Sequence, residues 1–139
     1  MSFPTIRVLA AAACFALAAS PAVAAGVAVE LNRLEPQGDD CRAYLVFENA
    51  TKDAFSSLKL DLVLFDSDGV IARRLAVEGG PLAAGKTVVR LFDIAKLPCP
   101  RIGRVLLNDV LACSGPDGAG ADCLAQIEPR SRAAAAFIK

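Results

Sequence analysis

Four cysteines, Cys41, Cys99, Cys113 and Cys123, carry most of the reactive chemistry in this sequence, and the chain has no histidine to partner them. Without imidazole, neither a Ser-His-Asp nor a Cys-His nucleophile can be assembled. Structural zinc sites draw on close pairs such as C-x₂-C, and thiol redox catalysis favours C-x-x-C. Neither spacing occurs here, so oxidative pairing into two disulfides is the chemistry left to these thiols. A fifth cysteine, Cys14, sits inside an apolar run near the start and is read as part of a discarded leader.

The oxygen-bearing side chains offer less. Asp66-Ser67-Asp68-Gly69 carries part of a calcium-loop pattern, but the distal bidentate Glu is missing. It reads as a hairpin turn, with Gly69 suited to positive φ. Asp39-Asp40, beside Cys41, reads as a solvated turn. With Arg42 and Arg101 it forms a candidate ion- or metabolite-binding loop. Ser56, Ser57, Ser114 and Ser131 lack a G-x-S-x-G setting. The expectation is no catalytic residue, no metal and no cofactor.

The elements that must position these residues begin after a leader. Within 139 residues, 55% are hydrophobic, and the excess is concentrated at the start. Residues 1–7 contain one positive charge, Arg7; residues 8–19 are continuously apolar; Ser20-Pro21 breaks the run and Ala22-Val23-Ala24 supplies a small-x-small cleavage pattern. This reads as a cleavable secretory leader, residues 1–24, too short in its apolar part for a spanning helix of about 20 residues. Residues 1–24 contain no twin-arginine pair. Export to the periplasm, or secretion, with no stable membrane anchor after cleavage, is expected.

Losing Arg7 leaves 14 Lys and Arg against 15 Asp and Glu. A nearly neutral domain has no electrostatic footprint for nucleic acid. The remaining residues, 25–139, suit one two-layer core.

Short strands alternate with turn signals about every ten residues, which predicts an all-β, seven-stranded immunoglobulin/fibronectin-III-like antiparallel sandwich. The strands fall at residues 27–34, 42–48, 58–65, 70–77, 86–93, 102–113 and 123–128. In the third, Leu58, Leu60, Leu62 and Leu64 share one face, while Lys59 and Asp61 take the other. The sixth shifts phase near Leu106-Leu107, which predicts a bulge. The tail, residues 129–139, reads as a helical turn, an extra edge strand or a frayed end.

The turn-rich stretch between Cys113 and Cys123 folds back readily, so these two are paired, and Cys41–Cys99 follows by elimination. In an up-and-down meander, Cys41 and Cys99 fall at one end of the sandwich and Cys113 and Cys123 at the other. Chain entropy makes the long loop worth about 4.2 kcal/mol and the short one about 2.8 kcal/mol.

Three stretches resemble the FxLYD-type group of small bacterial immunoglobulin-like domains, which are similar to late-embryogenesis-abundant type 2 sandwiches. They are Val46-Phe47-Glu48-Asn49-Ala50-Thr51, the strand and turn from Leu62 through Phe65 and Asp66 to Ile71, and Leu82-Ala83-Ala84-Gly85-Lys86-Thr87. Phe65 stands where the group usually has Tyr, and Ala84 where it often has Pro. The resemblance implies a non-catalytic accessory or interaction module of the cell envelope. The expected function is therefore a non-enzymatic periplasmic interaction module whose partner is another envelope protein. The alternative is a small-molecule or ion binder using the Cys41–Cys99 end. The fourth strand is expected at a sheet edge, where Arg73 and Arg74 either protect that edge or dock a partner. A third reading is an enzyme or enzyme inhibitor whose active loop is the Cys113–Cys123 excursion, although Ser114-Gly115-Pro116-Asp117-Gly118 offers no obvious recognition side chain.

Overall fold

A computed structural model of the chain describes residue 1 and residues 26–115, 118–119 and 123–139. The leader after residue 1, Cys14 included, lies outside the described residues, as does most of the turn between Cys113 and Cys123.

Period-two apolar patterning sets the strands. β1 (Val27–Gln37) and β2 (Asp40–Asn49) form a hairpin through the Gly38 turn; β3 (Ser57–Asp66) and β4 (Ile71–Glu78) form a second through Gly69. β5 (Thr87–Ile94) precedes a 3₁₀ turn, Cys99–Arg101, and the long β6 (Ile102–Gly115). Then come β7 (Gly118–Ala119), the helical turn α1 (Cys123–Gln126), β8 (Ile127–Ser131) and β9 (Ala136–Ile138). One sheet has the order β5-β2-β1-β8; the other is β4-β3-β6-β7, with β9 also paired to β6.

Leu58, Leu60, Leu62 and Leu64 are all buried, and so are Val27, Val29 and Leu31 of β1 and Leu45 and Phe47 of β2. These inward rows meet between the sheets as the hydrophobic core. At the far end of the β2–β5 ladder, Cys41 pairs with Ile94 and is bonded to Cys99, with Cα atoms 5.0 Å apart. At the opposite end Cys113 is bonded to Cys123, Cα to Cα 6.4 Å. Both pairings and both poles agree with the meander argument.

The sandwich differs from the expected one in two places, the seventh strand and the direction of two pairings, and chooses among the alternatives for the tail. Residues 123–126 are helical rather than strand: Cys123 and Ile127, four apart, are both buried, a spacing that suits one helical turn better than alternation. The tail takes the extra-strand alternative, because Ala135 and Phe137 alternate inward despite the helix-prone alanines. Two pairings are parallel, β8 on β1 (Val27↔Ile127) and β9 on β6 (Val105↔Phe137), so the described sheets hold more than seven strands. The connection from β8 to β9 crosses from one sheet to the other and is pinned by Ser131 Oγ donating to Ala135 O at 2.6 Å.

The bulge lies close to where the phase shift predicts it. Asp61 pairs with Asp109 and Leu62 with Leu107, leaving Asn108 as the extra residue of β6.

Candidate functional site

The two edges on one side of the sandwich, β4 in one sheet and β5 in the other, gather the side chains of most interest. Successive residues of a strand face opposite ways, so Arg73 and Arg74 part company. Arg74 turns to the outer face and grips Asp61 in a bidentate pair, Nε to Oδ1 and Nη2 to Oδ2, both 2.8 Å. Asn108 Nδ2 adds a bond to Asp61 Oδ2 at 2.7 Å, which explains the position of the bulge. Asp61 is 2% exposed on a face expected to be polar and solvated, and these side chains engage both of its oxygens. The Arg74 guanidinium, then Asn108, hold its carboxyl below the usual carboxylate range against the opposing pull of burial.

Arg73 turns inward at the open margin. Its Nη1 donates to Ala72 O at 2.7 Å, while Nε and Nη2 reach the other sheet at Ala95 O (3.2 Å) and Lys96 O (3.1 Å). Arg90 of β5 makes the converse reach, Nε to Gly79 O at 3.3 Å and Nη2 to Pro81 O at 3.2 Å, just beyond β4. The segment that receives Arg90 is itself ordered by Glu78. Its carboxylate accepts from Leu58 N (2.7 Å), Gly80 N (2.8 Å) and Ser57 Oγ (2.9 Å). Partial burial raises the Glu78 pKa, but the two backbone amides and the hydroxyl outweigh it and the net direction is down.

The candidate edge residues Arg73 and Arg74 are therefore at an edge, and both guanidiniums are engaged within the fold. What stands free at the head of β4 is apolar: Val70 is 61% and Ile71 64% exposed.

The candidate loop at the Cys41–Cys99 end is brought to one pole but is partly spent on structure. Asp40 Oδ1 accepts the Lys96 N–H at 2.8 Å, fixing a residue at φ 54°. Arg42 pairs with Asp93, Nε–Oδ1 2.7 Å and Nη2–Oδ2 3.2 Å, which lowers the Asp93 pKa. Asp39 and Arg101 are exposed. Among the described residues, no three His, Cys, Asp or Glu side chains cluster closely enough to hold a metal ion. Asp66 Oδ1 accepts the Asp68 and Val70 amides, both at 2.9 Å, so Asp66-Ser67-Asp68-Gly69 is an ordinary carboxylate-capped turn. A void of about 20 Å³ in the core, lined by Leu31, Ala43, Leu62 and Phe92 among others, has room for a water but not a metabolite. No described helix is long and apolar enough to cross a membrane.

Two contributions are invisible to sequence patterning. Asn49, 1% exposed, donates to Asp53 O (2.8 Å) and Ala83 O (3.2 Å) and accepts from Thr51 N (3.0 Å), tying two loops together. On β5, Val89 (51% exposed) and Leu91 (49%) face solvent while Phe92 and Ile94 turn inward. The run Val88-Val89-Arg90-Leu91-Phe92 is apolar on both sides of Arg90, so periodicity does not choose the inner face.

Comparison with known protein families and with curated proteins yields no match. Among solved structures, the chain is similar to IrmA from Escherichia coli, with a TM-score of 0.52 and 12% identity, over 76% of this chain and 91% of that one. At that identity the likeness is one of fold.

Proposed function

We propose that this domain is a non-enzymatic protein-interaction module of the cell envelope, exported to the periplasm and bound there to another envelope protein. The observation that carries the reading is at the β3–β4 hairpin. Val70 and Ile71 stand out from an edge strand whose neighbouring charges, Arg73 and Arg74, are tied down by the fold. A rigid hairpin with an apolar tip suits docking against a partner's surface. Two disulfides fit an oxidising compartment. The leader-like residues 1–24 support export, and the FxLYD-type resemblance supports an accessory role.

The test is a photo-crosslinking residue at Ile71 of the full chain, expressed with its own leader in its native cell. The expected result is a discrete adduct in the envelope fraction, with a mass other than twice that of the domain, not formed from the same label at Lys52. Protein retained in the cytoplasm, or properly exported protein giving no adduct from Ile71, would overturn the proposal.

A further inference from the structure

Exposed sheet edges are templates for pairing, and proteins usually blunt them with charge, proline, bulges or brevity. Most edges of this sandwich are blunted. The β3–β4 register is broken beside Ile71, and β4 carries Arg73 and Arg74. β8 has five residues including Pro129, and β9 has three. β5 is different. It runs eight residues with an unbroken register against β2, from Cys41↔Ile94 to Glu48↔Thr87, and its outer face is Val89 and Leu91 at the centre.

The backbone of that edge is open as well. Asn49 N donates to Lys86 O at 2.9 Å, so residue 86 points its polar groups at β2. By antiparallel alternation, Thr87, Val89, Leu91 and Asp93 point theirs the other way. Among the described residues, none of these four amides finds a backbone partner on that side.

We infer that β5 pairs antiparallel with β5 of a second copy of this chain, about a two-fold axis at Arg90, merging two four-stranded sheets into one of eight. The strand is self-complementary in that register. On the outer face each Val89 lies opposite the second copy's Leu91, and each Thr87 opposite its Asp93, whose charge is already met by Arg42. The open amides and carbonyls fall opposite one another, four residues from each strand. The two Arg90 side chains meet the axis on the inner face, but each is drawn to Gly79 O and Pro81 O of its own chain. Moving the axis to Val89 sets Leu91 against Thr87, and moving it to Leu91 sets Val89 against Asp93; both leave only three outward-pointing residues of each strand within the overlap. The Arg90 register matches apolar with apolar. A single strand pair lies at the small end of interface sizes, so the association is weak and concentration-dependent.

The experiment is sedimentation equilibrium of the oxidised, exported full chain between about 10 µM and about 1 mM. The weight-average mass should rise towards that of a dimer. Leu91→Lys, at a half-exposed position, should keep the wild-type near-ultraviolet dichroism and raise the dimer dissociation constant about tenfold or more. Ile71→Lys should leave it unchanged. A chain monomeric at the highest concentration, or a dimer indifferent to Leu91→Lys, would overturn the inference. These outcomes are separate from the heterologous adduct at Ile71.

Discussion

Arg73 and Arg90 close the same lateral opening from opposite sheets. Arg73, on β4, holds the carbonyls of Ala95 and Lys96 just past the end of β5; Arg90, on β5, holds those of Gly79 and Pro81 just past the end of β4. Each edge strand is thereby fastened to the exit of the other.

Removing either clasp should cost about 0.5–1.5 kcal/mol, the net worth of exposed hydrogen bonds to backbone carbonyls. Arg73→Ala should also speed exchange of the Lys96 amide, which bonds Asp40 in the same turn. Urea unfolding and hydrogen exchange of the single and double variants would check this. An Arg73→Ala variant with wild-type Lys96 protection would contradict it.

Asp61 should contribute an acid-sensitive share of stability. Its folded pKa lies below the ordinary 3.8, so the unfolded chain binds the proton first as pH falls. The contribution is complete above the unfolded pKa and is lost as pH drops through the folded one. Asp61→Asn should cost about 1–2 kcal/mol at pH 7. The gap from wild type should narrow below about pH 3.5. Urea midpoints at the two pH values measure it.

Gly79 should tolerate no side chain. A Cβ there would overlap the ring of Phe47, which is fully buried and cannot swing aside. Gly79→Ala should destabilise by about 2 kcal/mol or more through overpacking. Gly79 is not among the positive-φ glycines, so left-handed backbone strain adds nothing to the loss there. In a Phe47→Leu background the loss on Gly79→Ala should shrink; an undiminished loss would show that the Phe47 contact is not the cause.

The two bridges should differ in weight. Replacing Cys41 and Cys99 by alanine opens a 58-residue separation and should cost about 4 kcal/mol; replacing Cys113 and Cys123 opens one of 10 and should cost about 3 kcal/mol. Thermal melts of the two double variants give the ranking.

Much of this fold is legible in the residues. The alternation of Leu58, Leu60, Leu62 and Leu64 fixes an inner face, and meander parity sorts the cysteines into pairs. Other features depend on information no local pattern holds. Asp61 looks like a surface residue because its cover comes from Arg74, 13 residues on, and Asn108, 47 residues on. The helical turn at Cys123 answers to a bridge and to Ile127, not to propensity. On β5, Val89 and Leu91 are as apolar as the residues turned inward, and only the position of β2 decides between them. Arg73 and Arg74 lie on an edge strand, and their engagement by Asp61 and by the far loop is a matter of tertiary geometry.

The parallel pairing of Val27 with Ile127 joins the first described strand to one of the last. Any route that delivers this polypeptide amino end first must therefore hold β1 half-paired until residues 127–131 have emerged. Its hairpins can zip as they appear. The seam along that flank waits for Ile127 and Phe137, so the sandwich closes only once both late strands are available.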